Sequence, residues 1–150
     1  MKTCIFVKGT QNRGKTTTIL ELAQELGIPD NIGQCGKGNS EIEIVYNWNG
    51  INVGLRSNGD PGSGSLNWIE KTAIKENNCE IIVVACRCGG STQDPILPYL
   101  HESGYVIVEV YPSKIDTSAI GPPDYSVLCK SLAQYILFLM NNRSNFVSNY

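Results

Sequence analysis

At 150 residues, 41% of them hydrophobic, the chain can bury a proper core and is expected to form one domain over 1–150 with no second functional module. Twelve Lys and Arg against fourteen Asp and Glu leave a net charge of −2, which gives no general basic field and argues against nucleic acid as a partner. No signal peptide is read and no apolar run is long enough to span a bilayer, so the expected location is cytoplasmic, with no membrane partner.

The first strand is expected over Cys4-Ile5-Phe6-Val7. Ile19, Leu22, Ala23 and Leu26 then recur at helical spacing until Gly27 and Pro29 end the pattern. Between them lies Gly9-Thr10-Gln11-Asn12-Arg13-Gly14-Lys15-Thr16, a match at every position to G-x-x-x-x-G-K-[ST]. Glycines at both ends let the backbone N–H groups converge on phosphate oxygens, and the positive end of the following helix adds to that field. Lys15 is expected to reach the β- and γ-phosphates, Thr16 to ligate Mg²⁺ through its hydroxyl, and Thr17 to cap or contact the α-phosphate.

Residues 27–40 carry Gly33, Gly36, Gly38 and Asn39 without periodicity and read as a loop beside the phosphates, with Lys37 as a candidate contact. Ile42, Ile44 and Tyr46 alternate with polar neighbours, Asn49-Gly50 supplies a tight turn, and Ile51, Val53 and Leu55 alternate again, so a β-hairpin is expected. Its second arm runs into Arg56-Ser57-Asn58-Gly59-Asp60-Pro61-Gly62-Ser63-Gly64, the kind of loop from which open α/β sheets build sites at strand carboxyl ends. Asp60, the only carboxylate immediately after one of the candidate strands, is the candidate to hold Mg²⁺ through water.

A helix follows over residues 65–77, and Ile81-Ile82-Val83-Val84-Ala85 reads as a central parallel strand. Arg87, just past its end, is placed to stabilise a transferring phosphoryl group, and Arg13 and Arg56 are two further guanidiniums that would converge there. Ser91 and Thr92 belong to a second polar loop expected to face an acceptor. Asp94-Pro95 gives a helix start, and that helix runs to about residue 103; the lone His101 near its end reads as structural. A strand from residue 105 to 110, a proline-containing loop and a last helix capped by Asp124 complete the pattern, with an irregular tail after Asn142. Cys4, Cys35, Cys79, Cys86, Cys88 and Cys129 form no C-x-x-C pair and read as reduced packing residues rather than metal ligands.

The motif from Gly9 to Thr16 is the Walker A motif, and the chain resembles the P-loop NTPase superfamily from its first residue. The resemblance implies a three-layer α/β/α P-loop NTPase sandwich, its sheet mostly parallel with one antiparallel hairpin, that binds ATP or GTP with Mg²⁺. Asp60 is followed by Pro61 rather than by a water-polarising Glu, so the chain looks more like the kinase and GTPase branch. The leading expectation is Mg-ATP-dependent phosphoryl transfer to a small-molecule acceptor, or slow hydrolysis, with Lys15 and Arg87 stabilising charge. The alternative is a GTP-binding switch acting through a protein partner, because Ser113-Lys114-Ile115-Asp116 resembles the [NT]KxD motif of Ras-like GTPases, with Lys114 stacking on the base and Asp116 accepting from guanine. There Ser113 replaces the usual Asn, and Asp60-Pro61-Gly62-Ser63 lacks the glycine of a D-x-x-G switch. A third resemblance, through the early Walker A motif and the small size, is to the GTP-binding accessory proteins of molybdopterin guanine dinucleotide synthesis.

Overall fold

The computed structural model describes residues 1–9, 14–87, 92–111 and 125–146. It is an α/β structure on a six-stranded, mostly parallel sheet. The strands are β1 (Thr3–Lys8), β2 (Gln34–Cys35), β3 (Glu41–Trp48), β4 (Ile51–Arg56), β5 (Ile81–Cys86) and β6 (Val106–Val110), in spatial order β2-β3-β4-β5-β1-β6. β5 pairs in parallel with β1 and β4, β1 pairs in parallel with β6, and β3 is antiparallel to β4 and β2.

The sequence dictates this arrangement at several points. Every residue of β5 is buried, as an unbroken apolar run in a central parallel strand must be. Asn49 and Gly50 both have positive φ, 51° and 87°, the type I′ geometry whose twist matches the flanking strands, so the hairpin forms where the sequence signals it. Helix α1 (Lys15–Glu25) ends as its apolar pattern does. The Gly27 amide bonds the Gln24 carbonyl and the Ile28 amide the Ala23 carbonyl, each at 3.0 Å, closing the helix with a left-handed glycine.

Alternation along β1 and β5 splits the core in two. Ile5, Val7, Ile81, Val83 and Ala85 face Ile19, Leu22 and Ala23 of α1 together with Ala133, Ile136, Leu139 and Met140 of α4 (Tyr125–Asn141). Cys4, Phe6, Ile82, Val84 and Cys86 face Trp68, Ile69 and Ala73, and Ile96 and Leu100 of α3 (Ile96–Glu102). Trp68 closes the short α2 (Ser65–Trp68), which continues as a π-helical segment, Ile69–Glu76, over the stretch expected to be one α-helix. Each fully buried Leu or Ile contributes about 1.5–3 kcal/mol of transfer free energy, so both faces hold the sheet in place.

Three local expectations shift. The loop over residues 27–40 contains the two-residue strand β2 and a 3₁₀ turn, Lys37–Asn39. α3 begins at Ile96, so Pro95 rather than Asp94 directly precedes it, and no side chain caps it among the described residues; the Gln93 carbonyl accepts the Ile96 and Leu97 amides. After Asn142 the chain forms a 3₁₀ turn, Arg143–Phe146, docked by the Arg143 to Glu80 ion pair at 2.9 Å. No helix among the described residues is long and apolar enough to cross a membrane.

Topology fixes where a site can form. From β1 the chain leaves through α1 to one face of the sheet, and from the neighbouring β5 it leaves through α3 to the other. The helices that follow two adjacent parallel strands therefore lie on opposite faces, and such a switch point is where open α/β sheets place their sites.

Candidate nucleotide site

The loop following β1 is anchored at both ends. The Gly9 amide donates to the Cys86 carbonyl of β5 at 3.1 Å. At the other end Gly14 has φ +86°, and a Cβ there would meet Cys129 Sγ of α4 at 2.9 Å, so the position requires glycine for conformation and for space. The Gly14 carbonyl accepts from the Thr18 amide at 2.9 Å, from Thr18 Oγ1 at 2.7 Å and from the Cys129 thiol at 3.6 Å. Among the described residues no side chain caps the start of α1, and no acidic residue lies in its first turn. The start of a helix carries partial positive charge, which favours an anion there.

Lys15 is buried, and its Nζ donates to the Gly9 carbonyl at 2.9 Å, so the side chain spans the loop from its far end back to its beginning. With Thr16, Glu41, Ser57, Asn58, Gly59 and Asp60 it lines a cavity of about 190 Å³. Whole small-molecule sites occupy about 300–1,000 Å³, so the cavity lined by these residues is smaller than a complete site of that kind.

Glu41 is the functional candidate that sequence reasoning missed. Thr16 Oγ1 lies 3.5 Å from Glu41 Oε2 and 3.5 Å from the Ser57 carbonyl oxygen. The buried Ser57 hydroxyl donates to the same Glu41 oxygen and accepts the Ile42 amide at 2.8 Å. A search for an acidic residue at the end of a strand passes over Glu41 because it begins one. β3 runs antiparallel to β4, with Glu43 opposite Arg56, so the first residue of β3 stands at the carboxyl edge of the parallel strands. That reversal was the available signal.

Asp60 lines the same cavity, but its carboxylate already has a partner. Its Oδ1 accepts from Arg87 Nη2 at 2.9 Å and Nε at 3.2 Å, with the Asp60 side chain 57% exposed. It comes near β1 although β5 lies between β1 and β4, because the loop after β4 crosses the end of β5. Gly59 sits so close to Ala85 that a Cβ would collide with the Ala85 carbonyl, and Thr92 Oγ1 donates to the Gly59 carbonyl at 2.8 Å. Thr92 thus ties two site loops together instead of facing open space.

Of the three arginines expected to converge, the two described ones are held by different partners. Arg56 is buried, with Nη1 on Glu43 at 2.8 Å and Nη2 on the Ser63 carbonyl and, at 3.4 Å, its hydroxyl, so it fastens the loop over residues 57–64. Arg87 pairs with Asp60, and Arg13 lies outside the described residues, as do Thr10, Gln11, Asn12, Ser91, Lys114 and Asp116. Thr17, Lys37 and His101 are exposed.

On the opposite side of β1, Glu109 of β6 accepts from Gln93 Nε2 at 2.7 Å, from Lys8 Nζ at 3.4 Å and from the Tyr111 hydroxyl. The Tyr111 and Gln93 hydrogen bonds, helped by the Lys8 charge, hold its carboxyl below the ordinary carboxylate value. Burial pushes the Cys86 thiol up to about 12 and Cys79 to about 11, as befits packing residues.

Magnesium takes hard oxygen donors and binds through one or two carboxylates plus phosphates and water. Among the described residues no group of three or more His, Cys, Asp or Glu is gathered for a metal. The Thr16 hydroxyl, the Glu41 carboxylate and the Ser57 oxygens are nevertheless the right donors for a Mg²⁺ shared with a phosphate. Comparisons of the chain with family models, with curated proteins and with solved structures give no match.

Proposed function

We propose that the chain is a single P-loop nucleotide-binding domain of three-layer α/β/α form, cytoplasmic in location, that binds Mg-ATP and transfers its terminal phosphoryl group to a small acceptor. One observation carries the reading. Lys15 closes back to Gly9 at 2.9 Å, while the adjacent Thr16 faces the Glu41 carboxylate at 3.5 Å, and both line one cavity with the residues that follow β4. In this reading the loop amides and Lys15 bind the phosphates, Thr16 and Glu41 would hold Mg²⁺ directly, and Asp60 through water. The metal, when bound, neutralises developing charge on the phosphoryl oxygens. Arg87, at the end of β5, would exchange Asp60 for the transferring group. Phosphoryl transfer is governed by positioning and electrostatics, so a strong base is not required.

The alternative, a GTP-binding switch with a protein partner, draws support from Glu41. It directly follows the loop over residues 33–40, whose Gly33, Gly36 and Gly38 all have positive φ, so a metal held by Glu41 would bear on that exposed loop. The decisive experiment supplies γ-labelled ATP, and separately γ-labelled GTP, with Mg²⁺ and pooled small metabolites, and follows the label. Label on a metabolite supports transfer. Label retained on nucleotide or released slowly as phosphate supports the switch, and no binding of either nucleotide removes both.

A further inference from the structure

Asn58 lies two residues beyond the end of β4, on the wall of the cavity that holds Lys15, Thr16 and Glu41. Its backbone carbonyl accepts from Ser63 Oγ at 3.2 Å and Ser65 Oγ at 3.3 Å, and its side-chain Oδ1 accepts the Asp60 amide at 3.2 Å. An amide N–H can be met only by an acceptor, so this bond fixes which end of the carboxamide is oxygen. The Nδ2 group, with two protons to give, donates to no described residue. The loop is pinned just beyond Asn58, where Gly59 is wedged on Ala85 and bonded by Thr92 at 2.8 Å. A donor held in place before its acceptor arrives loses little freedom on binding.

From this geometry, and resting on the nucleotide-binding reading above, we infer that Asn58 is a specificity-determining residue that donates Nδ2–H to the terminal phosphate of a nucleoside triphosphate and so separates triphosphate from diphosphate. In this reading the inner phosphates lie toward the start of α1 and the terminal one toward the end of β4. The cavity between Lys15 and the end of β4, about 190 Å³, is the room left for one more phosphoryl group. Among the side chains lining it, Lys15 and Asn58 carry nitrogen donors, and Glu41 and Asp60 would repel a phosphate without a cation. A neutral amide adds recognition there without disturbing the metal carboxylate.

The test is calorimetric titration of wild type, Asn58→Asp and Asn58→Ala with Mg-ATP, Mg-ADP, Mg-GTP and Mg-GDP. Asn58→Asp keeps an acceptor for the Asp60 amide, so the loop stays closed, but replaces the donor with a charged oxygen. It should weaken triphosphate binding about 10- to 100-fold and diphosphate binding by about threefold or less. Asn58→Ala should lower the triphosphate preference in the same direction by about 3- to 10-fold. An unchanged triphosphate to diphosphate ratio in folded Asn58→Asp and Asn58→Ala, or an equal loss for both ligands, overturns the inference while leaving nucleotide binding standing. Absence of binding to wild type overturns both.

Discussion

Replacing Glu41 by Gln should separate metal binding from nucleotide binding. The variant keeps an acceptor for the Ser57 hydroxyl, so the start of β3 stays joined to the end of β4, but it removes the charge 3.5 Å from Thr16 Oγ1. A charge-assisted contact is worth about 1.5–3 kcal/mol, and about 1.4 kcal/mol is tenfold, so the Mg²⁺ concentration that half-saturates nucleotide binding should rise about 10- to 100-fold. Affinity for nucleotide in EDTA should stay level or improve, because a negative charge has left the neighbourhood of an anion. Asp60→Asn gives the contrast. Its side chain is 57% exposed and paired with Arg87, and exposed ion pairs contribute about 0–1 kcal/mol, so its half-saturation shift should be about fivefold or less. A fluorescent nucleotide analogue titrated with Mg²⁺, and separately without metal, reads both quantities. A larger shift for Asp60→Asn than for Glu41→Gln, or an equal loss with and without metal in Glu41→Gln, would refute the assignment of Glu41.

Two further outcomes follow from packing and titration. Gly59→Ala should cost about 1–3 kcal/mol by overpacking against the Ala85 carbonyl and, by displacing Ser57, Asn58 and Asp60, should also weaken Mg-nucleotide binding; an unchanged Tm would contradict the close approach. The carboxyl of Glu109 is held below its ordinary value of 4.5, so its stabilisation is fully present above that pH and is lost as pH falls through the lower folded value. With that side chain 35% exposed the contribution is about 0–1 kcal/mol after screening. Urea unfolding of wild type and Glu109→Gln from pH 7 to pH 3 should therefore show a gap that closes only below pH 4.5, and a gap that widens on acidification would contradict the sign.

The sequence made the local elements legible because their causes are local. Alternation and Asn49-Gly50 give the hairpin, Gly27 ends α1, and the apolar run of β5 requires a central position. Strand order is different in kind, since nothing in the residues of β5 says that it inserts between β4 and β1. That insertion decides how Asp60 approaches the loop, through Gly59 lying over the end of β5. Glu41 escaped for a related reason. Its place at the site comes from strand direction, a pairwise property, and not from its position within its own strand. The sequence places Arg56 beside Asp60 and Arg87 at a strand end, yet their partners, Glu43 with Ser63 and Asp60, become visible only once the loops are folded.

The central claim, that the Gly9 to Thr16 loop binds a nucleoside triphosphate, is tested most directly by calorimetric titration of wild type and Lys15→Ala with Mg-ATP and Mg-GTP, with circular dichroism confirming that both proteins are folded. The account predicts saturable one-site binding by wild type and a loss of about 10- to 100-fold in Lys15→Ala, the order expected when a charged ligand to phosphate is removed. No binding by wild type, or equal affinity in the folded variant, would contradict it.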